Sequence, residues 1–330
     1  MSIKDVSAIE TKKSKKKGRK IMTVILIIIG VITTLNLISL FINQVFFSKE
    51  LKGIAPYGEL VEVNGQKMHV YSMGTGETTI VLLPGFGVPL PSADFAPLMR
   101  ELSKEYTVVC VEYFGIGFSD QTEAPRTNEN ITEEIRLALT NARFAAPYVL
   151  MPHSASGIFS EYYAATYPNE VSAIVFLDPT PSADIVNPDI PGFVSTLGKV
   201  QQAIGLSRFF NPIIVSSVLG INEKNGYTAQ EISDYTKYMN HYINDTSNES
   251  TYRLNENIRE VMELDFPYEL PVLRILSIES EKKLKDDVLS NHLNKLGDNA
   301  KSITLEGTHF IYHIAADGIV EAVDELLNGK

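Results

Sequence analysis

The chain has 330 residues, 44% hydrophobic and 21% charged, which is apolar enough to fill a full-sized core and excludes a disordered or fibrous protein. Its net charge is −11, and once the basic N-terminus is set aside residues 48–330 carry −17, a field that repels phosphate backbones and excludes nucleic acid as a partner. The one cysteine, Cys110, cannot form an internal disulfide, and no Cys/His cluster has ligand spacing, so neither a disulfide framework, a metal nor a cofactor is expected.

Residues 1–20 hold eight basic side chains against Asp5 and Glu10, and residues 21–47 then carry no charge at all. A bilayer core about 30 Å thick needs roughly 20 apolar residues at about 1.5 Å each, so the run predicts a transmembrane helix. Basic residues stay on the cytoplasmic side and only Lys49 and Lys52 follow closely, which predicts a single-pass plasma-membrane protein whose globular part faces outward. A cleaved signal peptide is the alternative. Its apolar core is about 7–15 residues and ends at small residues, whereas this one is longer and ends in Phe46-Phe47-Ser48-Lys49.

Beyond the anchor, Leu60–Tyr71 reads as a hairpin turned at Asn64-Gly65. Strands are predicted at Thr78–Leu83, Tyr106–Val111, Tyr148–Met151 and Val171–Leu177, and later at Val272–Ile278 and Ser302–Leu305. Helical periodicity lies between them, as in Phe95, Leu98, Met99 and Leu102, in Ile131, Ile135 and Leu139, and around Asp287–Leu296, with a closing helix through Val320, Val323 and Leu327. Such alternation predicts an α/β fold, a mostly parallel sheet with helices on both faces. Residues 181–268 break the rhythm with helical patches, many Asn, Asp and Tyr residues, and one β-branched run, Ile213–Val218. They are expected to form a helical cap inserted between core segments 48–180 and 269–330.

The chemistry concentrates in Pro152-His153-Ser154-Ala155-Ser156-Gly157, between a buried strand and a helix. A serine on a sharp strand-to-helix turn presents its hydroxyl above the sheet, beside the free N–H groups of a helix N-terminus. Here the chain resembles the α/β-hydrolase family: His153-Ser154-Ala155-Ser156-Gly157 is similar to its H-S-x-G-G elbow, with Ser156 for one glycine and Pro152 before it. Leu82-Leu83-Pro84-Gly85-Phe86-Gly87 is similar to the H-G-x loop, Glu112 to Asp120 to the D-x-x-G-x-G-x-S loop, and Leu305 to Phe310 to the segment that carries the histidine. The resemblance implies Ser154 as nucleophile, His309 as general base, and the N–H groups of Phe86 and Ala155 as an oxyanion hole, with Glu112 shaping its loop. His313, four residues on, is the rival base. His69, His241 and His292 read as structural or surface residues, and His153 as packing beneath the nucleophile.

The acid stays open. The family position after the strand ending at Ile278 holds Ser280, flanked by Glu279 and Glu281, and Asp178 ends the preceding strand. What the resemblance implies is a membrane-anchored serine hydrolase of an ester or amide bond, on a small-molecule or lipid-like substrate, and a serine nucleophile argues against the epoxide-hydrolase and dehalogenase branches. The competing expectation is a catalytically inactive binding module on the same fold, favoured by the altered elbow and the missing acid at Ser280. Tyr227, Tyr235, Tyr238 and Tyr242 could line a pocket or simply pack the cap.

Overall fold

The computed structural model describes residues 3–183 and 191–329, with side chains from Arg19 onward, so residues 184–190 of the expected cap and the side chains of residues 1–18 of the basic tail lie outside the described residues. Eight strands form one sheet: β1 (Glu59–Val63), β2 (Gln66–Met73), β3 (Thr79–Leu83), β4 (Thr107–Glu112), β5 (Tyr148–Pro152), β6 (Val171–Leu177), β7 (Val272–Ser277) and β8 (Ala300–Leu305). Their spatial order is β1-β2-β4-β3-β5-β6-β7-β8. The first two strands are antiparallel to their neighbours and every other pair is parallel. Asn64 and Gly65 join β1 to β2 with φ of 53° and 81°, the two positive values that a tight two-residue hairpin turn requires.

Successive strand residues face opposite sides of the sheet, and both sides are buried. Val81, Leu83, Leu150, Ile174 and Phe176 pack with Ile131, Ile135, Phe159 and Tyr163 from helices Asn128–Asn141 and Ser156–Thr166. Ile80, Leu82, Cys110, Val149 and Val175 pack on the other side with Leu98, Met99, Ile319 and Val323 from helices Ala96–Leu102 and Ala316–Asn328. Strands covered on both faces read as unbroken apolar runs, which is why they stand out in the sequence.

Between β6 and β7 the chain leaves the sheet for helices Gly192–Ile204, Ala229–Met239 and Asp245–Met262 with shorter turns among them. Ile213–Val218 is helical despite its β-branched residues, with the Asn211–Ile213 turn running into a wider one at Ile214–Val218. Among the described residues no strand pairs with it, and Val215 is buried against Leu90, Tyr227 and Tyr235. At the N-terminus one helix runs from Ile3 to Ile42, and the segment Arg19–Gly53 is long and apolar enough to cross a membrane.

The loop before helix Asn128–Asn141 is held by a buried ion pair, Arg126 to Glu134, with both guanidinium nitrogens bonded to the carboxylate at 2.8 and 2.6 Å. Removing one partner of such a pair leaves an uncompensated buried charge. Glu134→Ala is expected to cost about 3–5 kcal/mol of stability, read as a lower urea midpoint by circular dichroism, and the double change Arg126→Met with Glu134→Leu should recover most of it.

Candidate active site

The site forms where β5 and β6 end side by side. After Pro152 the chain turns at Ser154, whose φ is +53°, a left-handed conformation that is uncommon for a residue other than glycine. Two hydrogen bonds fix the turn: the His153 N–H donates to the Leu83 carbonyl at 2.9 Å and the Ser154 N–H to the Leu177 carbonyl at 3.1 Å. The helix Ser156–Thr166 starts at once, so the serine Oγ stands above the sheet rather than within it. The turn also needs Gly85, because a Cβ there would lie 2.7 Å from both the Ser154 Cβ and the His153 Nδ1.

Above the serine sits His309. The Ser154 hydroxyl meets the His309 Nε2 at 2.8 Å, and the His309 Nδ1 donates to the Asp178 Oδ2 at 2.7 Å. Asp178 is the residue after β6 and, like Ser154, turns through a positive φ, +46°. Its side chain is completely buried whereas that of His309 is 43% exposed, so the acid is shielded and the imidazole remains reachable. The Ser277 N–H bonds the Asp178 Oδ1 at 2.7 Å, and the Ser277 and Ser280 hydroxyls bond the Oδ2 at 3.1 and 2.6 Å. These donors stand in for the hydration that burial removes from the carboxylate.

Of the carboxylates left open by the sequence, Asp178 is therefore the one brought to His309. Glu279 is not: β7 stops at Ser277, one residue short of the predicted end, and a short helix, Ile278–Lys283, begins there. That helical turn points Ser280 inward and leaves Glu279 paired with Lys283, while Glu281 accepts from the Thr304 hydroxyl at 2.8 Å. The role of Ser277 and Ser280 was missed in the sequence. Its only signal was a serine at the position where the resembling family carries its acid.

Ala155 follows the serine directly, and Phe86 follows Gly85, whose backbone passes close to Ser154. Among the described residues, neither of their N–H groups is engaged in a hydrogen bond. Ser156, which replaces an elbow glycine, is buried and donates to the Pro84 carbonyl while the Tyr113 hydroxyl bonds it at 2.7 Å, so it ties the elbow to the Phe86 loop. Glu112 holds the next loop by accepting from the Ser92 and Phe118 N–H groups at 3.0 and 2.7 Å. The inserted helices reach the site through Tyr242, whose hydroxyl accepts from the Gly87 N–H at 2.7 Å. Tyr227, Tyr235 and Tyr238 pack instead between the insertion and the core residues Leu90 and Ala93.

His153 is fully buried beneath His309, with its Nε2 donating to the His309 carbonyl at 3.0 Å. Burial, then the neighbouring His309, holds its pKa well below the usual histidine value, so it stays neutral and adds no positive charge beside the serine. The rival His313 is buried away from Ser154, with its Nε2 2.9 Å from Asp94 and its Nδ1 2.7 Å from the Leu219 carbonyl. His69 accepts from the Gly58 N–H, His241 faces Glu50 and His292 faces Glu161.

With this geometry in view, a family model described as the alpha/beta hydrolase fold matches residues 78–204. The chain has the α/β-hydrolase fold. Similarity to an uncharacterized protein of Bacillus subtilis, YbdG, runs over 325 residues at 29% identity and covers 93% of this chain and 97% of that one. This hydrolase-fold chain is also 33% identical over 122 residues to the 2-(acetamidomethylene)succinate hydrolase of Mesorhizobium japonicum, covering 37% of this chain and 42% of that enzyme. Among solved structures, Cfl2 of Burkholderia cenocepacia superposes with a TM-score of 0.65 at 19% identity, over 81% of this chain and 94% of that one.

The competing acids can be separated by substitution. Asp178→Asn should lower hydrolysis of a short p-nitrophenyl ester by about 10³–10⁴-fold, because an amide can hold the imidazole in the wrong tautomer. Glu279→Gln should leave the rate unchanged. Ser280→Ala, which removes one donor to Asp178, is expected to cost about tenfold, or ~1.4 kcal/mol.

Proposed function

We propose that this protein is a serine hydrolase of an ester or amide bond, held at the plasma membrane by its N-terminal helix with the hydrolase domain on the outer side. The observation that carries the reading is the unbroken chain from Asp178 through His309 to Ser154, at 2.7 and 2.8 Å. In it, the Ser154 Oγ attacks the substrate carbonyl while the His309 Nε2 takes the hydroxyl proton. Asp178 keeps the other ring nitrogen protonated and stabilises the imidazolium that forms. The Phe86 and Ala155 N–H groups face the developing oxyanion, a role worth about 2.7–4 kcal/mol per donor in such sites. The imidazolium then protonates the leaving group, and a water molecule activated by His309 attacks the acyl-enzyme to free Ser154.

Support comes also from the hydrolase named among the relatives, and from the accounted departures at the elbow. A binding module would have no need of a buried carboxylate held by three serine donors. The length of the apolar run and the basic residues before it support the anchor and its orientation. A lipid-like ester fits a site carried on such an anchor.

Two measurements test the reading. Ser154→Ala should abolish both covalent labelling by a fluorophosphonate probe and turnover of short p-nitrophenyl esters, leaving the circular dichroism spectrum unchanged. Wild-type rates in that variant, or a folded native protein that the probe never labels, would overturn it.

A further inference from the structure

The helices inserted between β6 and β7 carry a large apolar face that none of the described residues covers. Phe193, Leu197 and Val200 recur on one stripe of helix Gly192–Ile204, and Leu206, Phe209 and Phe210 continue it beyond the helix end. Phe193 is 64% exposed, Leu197 61% and Phe209 72%. Large contiguous apolar surface of this kind is uncommon on a protein surrounded by water.

Where this face sits is fixed by the N-terminal helix. The Ser39 hydroxyl donates to the Ile204 carbonyl at 2.7 Å, and the Asn43 amide donates to the Gln202 and Ala203 carbonyls at 3.2 and 2.9 Å. Arg208 returns a bond to the Asn43 Oδ1 at 2.6 Å, lies over the Phe47 ring and pairs with Glu50 at 2.6 Å. Gly205, with φ of +77°, makes the approach possible, since a Cβ there would lie 2.9 Å from the Asn43 side chain. These contacts place the end of helix Gly192–Ile204 at the depth of Ser39 and Asn43. Counting about 20 spanning residues from Ile21 puts the outer edge of the hydrocarbon core near Leu40. The two positions coincide.

We propose that the face formed by Phe193, Leu197, Val200, Leu206, Phe209 and Phe210 is embedded in the outer leaflet of the phospholipid bilayer beside the anchor, and that ester substrate reaches Ser154 from the lipid. The occupant is decided by continuity: the face is hydrogen-bonded to the helix that spans the membrane, at the level where that helix leaves it. Its nearby charges are already neutralised, Arg208 by Glu50 and Lys199 by Asp245. A segment also leads from this face to the catalytic loop. Gln202 and Ile243 exchange two hydrogen bonds at 2.8 and 3.0 Å, and the adjacent Tyr242 holds the Gly87 N–H. The oxyanion loop is thus two short steps from the membrane-facing helix.

The inference rests on the anchored-hydrolase reading, and the test separates the two. The full chain, with Leu197→Cys, Phe209→Cys, Leu35→Cys or Ser290→Cys labelled in turn by a nitrobenzoxadiazole fluorophore, is reconstituted in phosphatidylcholine vesicles containing acyl-chain nitroxide lipid. Cys110 is fully buried and stays unlabelled. Quenching at 197 and 209 is expected to exceed that at 290 at least threefold, with 35 quenched as well. Quenching at 35 alone would overturn the embedded face while leaving the anchor intact, and no quenching at 35 would overturn both. A Leu197→Asp/Phe209→Asp protein should turn over a vesicle-borne long-chain ester at least tenfold more slowly than wild type, with an unchanged rate on soluble p-nitrophenyl acetate. Equal rates on the vesicle-borne ester would overturn access from the lipid.

Discussion

Ser154 and Asp178 owe their positions to the carboxyl ends of two adjacent parallel strands. Each follows a buried strand, each turns through a left-handed φ, and each is pinned by a bond from its own N–H, to the Leu177 carbonyl at 3.1 Å and to the Ile275 carbonyl at 2.7 Å. Parallel neighbours end at the same edge of the sheet, so two such turns bring their side chains to one place, and the Thr180 N–H bonded to the Ser154 carbonyl at 3.1 Å ties them further. The strain that each turn carries is sustained by a ladder with apolar residues on both faces, which cannot shift register without exposing them. Loosening β5 against β6 would therefore separate the nucleophile from the acid before it disturbed either residue itself.

The carboxylate illustrates how a buried charge is made tolerable. Asp178 has lost all contact with water, and an isolated carboxylate in that setting would cost many kcal/mol. The Ser277 N–H, two serine hydroxyls and the His309 ring replace the lost hydration. Because the donors come from the end of β7 and the helical turn that follows it, the acid's environment is built by a neighbouring strand 99 residues away in sequence. His153 completes the arrangement from below, its pKa held well below the usual histidine value, so that in the proposed mechanism an imidazolium at His309 meets no second positive charge there.

Strand and helix order was legible because strands covered on both faces are unbroken apolar runs, and because Asn64-Gly65 can form the hairpin turn they flank. Ser154 and His309 were legible from local motifs, since each lies in a loop with its own sequence signature. The acid was not, because the choice between Asp178 and Glu279 depends on where β7 ends. A strand one residue longer, with no helical turn at Ile278, would have presented other side chains to the histidine. Nor did residue type foretell Ile213–Val218, where helical turns override a β-branched run because its neighbours offer packing partners and no strand to pair with. The bonds from Ser39 and Asn43 to the insertion, some 160 residues away, leave no local trace either.

In the proposed anchored arrangement, charge and apolar surface together constrain how the domain stands on a bilayer. Residues 48–330 carry −17, yet the face bonded to the anchor is apolar with its cations paired. A net charge of that size makes close approach of the rest of the domain to anionic headgroups unfavourable. The apolar face has the opposite balance, since about 25 cal/mol is gained for each Å² of it removed from water. A flexible tether would leave that preference weak, averaged over many orientations. Here Asn43, Arg208 and Glu50 lock the anchor to the insertion, and through Gln202, Ile243 and Tyr242 the same lock reaches the loop that carries the Phe86 N–H. In that arrangement the orientation of the domain and the shape of the Phe86 loop are set by one continuous set of contacts.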